Sequence, residues 1–216
     1  MSQTETALPV LQHPAPNLDW LARRSEPIVE PELPIVDPHH HLWDRGGGYL
    51  LDELLADTGS GHDIVSTVFL QCAYGYRPDG PDALRPVGET EFVARLAREA
   101  DRRGGRTRVC EGIVGHADLL LGEAVVSVLE AHVSAAEGRF RGIRHVTARS
   151  EAFRASIVPP PPALVMADPA FRRGFAQLKR FDLSFDAWPG ISHQATGIWL
   201  RMLARTRTSS TASRMV

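Results

Sequence analysis

From Pro34 to Trp188, short β-rich runs alternate with helical ones, and this alternation constrains the fold more than any other feature of the chain. "PIVDPHHH" is the first strand candidate. "DIVSTVFLQC" (Asp63–Cys72) is almost continuously apolar, as a strand buried on both faces should be. "RVCEGIVGHA" (Arg108–Ala117), "FRGIRHVTA" (Phe140–Ala148) and "DLSFDAW" (Asp182–Trp188) follow as strands three to five. Between them lie periodic stretches. "GETEFVARLAREADRRGG" places Phe92, Val93, Leu96 and Ala100 on one helical stripe and stops at Gly104 and Gly105. "EAVVSVLEAHVSAAEG" turns Val125, Val128, Leu129 and Val133 inward, which leaves His132 for the surface or an interface. "DPAFRRGFAQLKRF" opens with Asp168 as N-cap and Pro169 at the first helical position. Strands and helices at this spacing predict βαβ units and a parallel sheet.

The flanks differ. Residues 1–34 read as an N-terminal arm broken by Pro14, Pro16, Pro27, Pro31 and Pro34, with room for one short helix in "NLDWLARRS" capped by Asn17. The proline run Pro159–Pro162 makes a loop that cannot be helical. Residues 189–216 lose the alternation and end in aperiodic Thr, Ser and Arg, so an aberrant or disordered tail is expected there. Of the 216 residues, 43% are hydrophobic and 23% charged, enough for one domain with a sizeable core. The net charge of −2, without a basic block, argues against nucleic acid or an anionic membrane as partner. No apolar run approaches the roughly 20 residues of a membrane span, and the N-terminus lacks a signal-peptide pattern. Cys72 and Cys110 sit in apolar runs outside any CxxC pattern. Reduced, buried thiols in a cytoplasmic protein are therefore expected.

"IVDPHHHLWD" (Ile35–Asp44) carries the chemistry. On a strand, residues i and i+2 point to the same side about 6.6 Å apart, so His39 and His41 converge while His40 points away. Imidazole nitrogens bind a metal at about 2.0–2.1 Å, and two such residues at a strand end make an economical first pair of ligands. Asp37 shares their side and is placed to accept from a ring and fix its orientation. The competing reading is a set of hydrogen-bonded polar residues at a strand terminus.

The same stretch, "VDPHHHLWD", resembles the start of the amidohydrolase-related family, the metal-hydrolase-like (β/α)8 barrels, and is closest to the branch of sugar-acid and dicarboxylate lactonases. "FRGIRHVTA" is similar to that branch's fourth strand, "LSFDAW" to its fifth, and "DPAFRRGFAQL" to the helix before the latter; together they span most of Leu33–Trp188. The resemblance implies a TIM barrel with its site at the C-terminal ends of the strands. It implies His39 and His41 as catalytic residues that hold a divalent metal ion or polarise the substrate carbonyl, zinc being one such ion in a branch whose metal requirement varies. Arg144 and His145 on the fourth strand are implied to bind substrate. The guanidinium of Arg144 suits a carboxylate or carbonyl, though neighbours on a strand cannot both face the interior. An ion pair or loop contact is the alternative role for both.

The family pattern continues with a further His-bearing strand and an aspartate at the eighth strand, and no matching stretches occur here; His193 lies in the tail outside any strand context. Five strand candidates stand where the barrel has eight. The expected architecture is thus an incomplete (β/α)8 barrel of about five βα units, residues 35–188, cut or shifted out of frame after Trp188. Open edges at the first and fifth strands predict self-association or low stability. The implied activity is a metal-dependent, lactonase-like hydrolysis of a small carbonyl substrate by activated water. The alternatives are a decarboxylase of the same family or an inactive barrel fragment.

Other polar residues read more simply. The glycine clusters Gly46–Gly48 and Gly59–Gly61 are flexible loops, and Ser150 and Ser156 lack a base partner. Gln71, Glu111 and His116, at strands two and three, are candidates to line a barrel mouth and read more simply as satisfied polar groups, and Asp186 is a candidate for facing the site from strand five.

Overall fold

The structure is a computed structural model that describes residues 17–45, 47–147 and 161–188. Its elements, in order, are α1 (Leu18–Leu21), β1 (Pro34–His40), α2 (Leu51–Thr58), β2 (Asp63–Leu70), α3 (Val87–Arg103), β3 (Arg108–His116), α4 (Val125–Ala135), β4 (Phe140–Val146), α5 (Pro169–Leu178) and β5 (Ser184–Trp188). The five strands form one parallel sheet in the order β1-β2-β3-β4-β5. Every strand therefore lies beside its sequence neighbours. Crossovers of one hand that always add the next strand on the same side keep the helices on one face. The sheet curls around its helix-free face as a half-barrel. Among the described residues, the outer edges of β1 and β5 have no strand partner.

The core fills the space between the sheet's outer face and the helices. Phe69, Val109, Ile113 and Ile143 of the strands meet Leu54, Val93, Ala97, Leu129 and Phe171 of the helices, all at most 2% exposed. Each such Val, Leu, Ile or Phe side chain contributes about 1.5–3 kcal/mol by leaving water. The contact is close enough at α5 to require a glycine. A Cβ on Gly174 would lie 2.2 Å from the Leu119 carbonyl oxygen.

Local signals act as their chemistry predicts. The Asn17 side chain accepts from the Trp20 amide at 2.9 Å, and Asp168 Oδ1 accepts from the Ala170 amide at 2.7 Å with Pro169 following it. Gly104 ends α3 at φ 72°. Two assignments on α4 change. Val133 is 41% exposed, and His132 takes its place in the core at 0%. The substitution follows from spacing, because 125, 128/129 and 132 continue one helical face. Helix α2, unassigned from the sequence, buries Leu51 and Leu54 in the core. In the arm, Trp20, Leu21, Val29 and Leu33 are exposed. Residues 1–16 of the arm, Pro159 and Pro160 of the proline run, Gly46, Ser150, Ser156 and the tail 189–216 lie outside the described residues. No helix among the described residues is long and apolar enough to cross a membrane.

Candidate functional site

At the C-terminal end of β1, His39 and His41 turn toward one another. Their rings meet edge-on with centroids 5.0 Å apart, and the two Nε2 atoms are 3.3 Å apart. The partners fix the tautomers. His41 Nδ1–H donates to the Leu70 carbonyl at 2.7 Å, so its Nε2 carries the lone pair and accepts from His39 Nε2–H. The His41 ring also stacks on Trp43, at 5.4 Å and 23°. Trp43 in turn is pinned by reciprocal backbone bonds with Tyr49 at 3.0 and 2.7 Å. His39 is exposed, and its amide, rather than its ring, donates to Asp37 Oδ1 at 3.1 Å. The carbonyl of Leu70 thus performs the ring-orienting role expected of Asp37.

His40 faces away, as strand geometry requires. It is 8% exposed and bonds Thr67 Oγ1 through Nε2 at 2.9 Å. Burial lowers its pKa to about 4.

The two polar residues of β4 separate. Arg144 lies with its side chain 8% exposed and pairs through Nε with Asp186 Oδ2. Register explains the pair, because Asp186 on β5 stands directly beside Arg144. Arg144 Nη1 also donates to the Gln71 carbonyl at 3.4 Å, two strands away, a span that the curl of the sheet brings within reach of a guanidinium. His39 senses this cluster. Burial and then the Arg144 charge lower its pKa, while Asp186 and Asp37 oppose them.

His145 turns toward the helix layer instead. Its Nδ1 accepts from the Leu119 amide at 3.3 Å, and its ring meets Phe171 edge-on at 5.1 Å. Burial, followed by the neighbouring His116, pushes its pKa down to about 4. The structure therefore gathers His39, His41, Arg144 and Asp186 at one end of the sheet and leaves His145 on the other face.

Gln71, Glu111 and His116 each have a partner. Gln71 Nε2 donates to the Tyr76 hydroxyl at 3.0 Å, Arg139 pairs with Glu111 at 3.4 Å, and His116 Nδ1 donates to the Arg144 carbonyl at 3.0 Å. His132 links three elements: Thr90 donates to its Nδ1 at 2.8 Å and its Nε2–H donates to the His116 carbonyl at 2.9 Å. Both cysteines are free. Burial raises both thiols, Cys110 to about 12.

One buried acid escaped the sequence reading. Glu89 of α3 is 1% exposed, and burial raises its carboxyl to about 7. Its signal was present, since positions 89, 93, 97 and 100 share a helical face whose other members are Val93, Ala97 and Ala100.

The donor set fits a divalent ion in part. Two nitrogens bound to one tetrahedral ion at about 2.0–2.1 Å lie about 3.3 Å apart, the separation seen between His39 and His41 Nε2. The carbonyl on His41 Nδ1 is the outer partner that metal-bound imidazoles usually have. Among the described residues, no group of three or more His, Cys, Asp or Glu side chains is arranged to hold such an ion.

Uncharacterized protein y4mH of Sinorhizobium fredii (strain NBRC 101917 / NGR234) is 28% identical over 179 residues, covering 72% of this chain and 53% of that protein. The chain spans about half the length of the curated relative it matches. No family model and no solved structure matches the chain.

Proposed function

We propose that the chain carries the first half of a TIM-barrel hydrolase site of the amidohydrolase-related kind, acting on a small lactone or related carbonyl substrate. The observation that carries this reading is the His39–His41 pair, at ligand spacing and oriented by Leu70, on the same end of the sheet as Arg144. His39 and His41 would hold a divalent ion such as zinc. When bound, such an ion supplies a polarised carbonyl and a water acidic enough to attack it near neutral pH. The chain's own groups supply the geometry. The hydrogen bond from Nδ1 keeps the His41 lone pair on Nε2. Arg144, held by Asp186, brings to this end of the sheet a planar guanidinium suited to a substrate carboxylate or carbonyl.

The test is metal analysis of the purified protein beside His39→Ala and His41→Ala, with hydrolysis of a panel of sugar-acid and dicarboxylate lactones. Metal content is expected to fall in both variants and ring opening to depend on Arg144. Metal content unchanged in both variants refutes the ligand assignment. Release of CO2 from a carboxylate substrate in place of ring opening assigns the decarboxylase reaction to the same residues.

A second reading is a catalytically inactive half-barrel that binds metal weakly or not at all. The open five-stranded sheet, in which β1 and β5 have no outer strand partner among the described residues, favours it. A protein that binds the ion substoichiometrically or not at all, and turns over none of the panel, supports this reading over the first.

A further inference from the structure

We infer that Glu89 is a positioning residue for the His41–Arg144 site, acting through the turn that follows β2. The inference rests on taking His39, His41 and Arg144 as a site. Two consecutive carbonyls at the end of β2 serve that site: Leu70 accepts from the His41 ring at 2.7 Å and Gln71 from Arg144 Nη1 at 3.4 Å. Where those oxygens sit depends on the chain that continues from them. It is still tied to β3 just past the end of β2, where the Gln71 amide donates to the Val114 carbonyl at 2.8 Å. It then turns sharply at Ala73, a non-glycine residue at φ 59°. A side chain in that left-handed region persists only where its surroundings hold it.

Glu89 does the holding. The amides on either side of Ala73 both end on Glu89 Oε1, Cys72 at 3.0 Å and Tyr74 at 2.8 Å, and the Cys72 thiol adds a contact at 3.5 Å. On the outside, Arg45 Nη2 donates to the Ala73 carbonyl at 2.7 Å and lies over the Tyr74 ring. Glu89 Oε2 has no hydrogen-bond partner in its buried setting. A carboxyl group inside an apolar helix face, with one oxygen unused, is unfavourable for packing alone. Its other oxygen is the acceptor that closes the turn. Simple anchoring of a loop would need the same bonds; what distinguishes positioning is that the His41 ring should register their loss.

The experiment reads the imidazole nitrogens of His41 by 15N NMR in metal-free protein, in the wild type, Glu89→Gln and Glu89→Met. His145, whose Nδ1 accepts from Leu119 on the other face, is the reference for an intact fold. The wild type and E89Q, which keeps an amide oxygen for the two amides, are expected to show a protonated Nδ1 and an unprotonated Nε2 on His41. E89M, similar in size but lacking the acceptor, is expected to lose that pattern to tautomer averaging while His145 stays unchanged. If E89M does not fold, Glu89→Asp, whose acceptor is drawn back by one methylene, takes its place with the same expectation. A folded E89M or E89D with the wild-type His41 pattern overturns the inference, as does an E89Q that loses the pattern as completely as E89M. Because no metal or substrate enters the measurement, a chain without activity can still show a Glu89-dependent His41, and the two ideas fail separately.

Discussion

Acidification should weaken this fold, and the buried histidines set the amount. Burial holds His40, His132 and His145 each at about 4, against an ordinary value of 6.5. The unfolded chain therefore takes up these protons at a higher pH than the folded chain. Stability from these rings is complete above about pH 6.5 and is lost as the pH falls from there toward 4. At 1.36 kcal/mol per pKa unit, each ring removes about 2 kcal/mol between about pH 7 and pH 5. Glu89 works in the opposite direction. Its carboxyl is raised from 4.5 to about 7, so the folded chain gains a proton that the unfolded chain still lacks. That uptake adds about 2 kcal/mol of stability over the same interval. Three rings outweigh one acid, and the net loss is about 3–4 kcal/mol, a large share of the roughly 5–15 kcal/mol that holds a typical domain. Urea unfolding followed by far-UV circular dichroism at a series of pH values measures it directly. His132→Gln, which keeps a donor for the His116 carbonyl but cannot titrate, should flatten the pH slope. An unfolding midpoint that stays level or rises on going from pH 7 to pH 5 refutes the reasoning, because it would mean that these rings are not held neutral by burial.

Two further outcomes are expected. Gly174→Ala sets a methyl group against the rigid Leu119 carbonyl, 2.2 Å away, and should lower stability by about 1–3 kcal/mol or more; a thermal midpoint equal to that of the wild type contradicts the close packing of α5. Because β1 and β5 have no strand partner on their outer edges among the described residues, the chain is expected to self-associate with rising concentration. Sedimentation equilibrium that fits a monomer at every concentration removes that expectation.

Arg144 and His145 show where sequence reasoning stops. Alternation along a strand guarantees that adjacent residues face opposite sides, yet it does not say which side the helices will cover. Only the packing of Phe171 and Leu119 against β4 directs His145 outward and leaves Arg144 on the helix-free face. The same limit hid the Arg144–Asp186 pair, since the two residues are 42 positions apart and meet only through the β4–β5 register. His132 and Glu89 were missed for a different reason. Both continue an apolar helical stripe, where polarity and helical phase point to opposite placements. A polar residue in phase with a buried face is enclosed wherever a partner can satisfy it, as Thr90 does for His132 and the Cys72 and Tyr74 amides do for Glu89.

The sequence by itself determined the parts set by short-range physics. These are the βα alternation and its parallel sheet, the caps at Asn17 and Asp168, and the i, i+2 spacing that separates His39 and His41 from His40. Each depends on residues a few positions apart and on the repeat of a strand or a helix. The tertiary structure alone decided which carbonyl orients His41, which neighbour anchors Arg144 and which carboxyl group is enclosed beneath them. Those outcomes join residues 15 to 42 positions apart. They follow from the curl and register of the sheet, which no local pattern encodes.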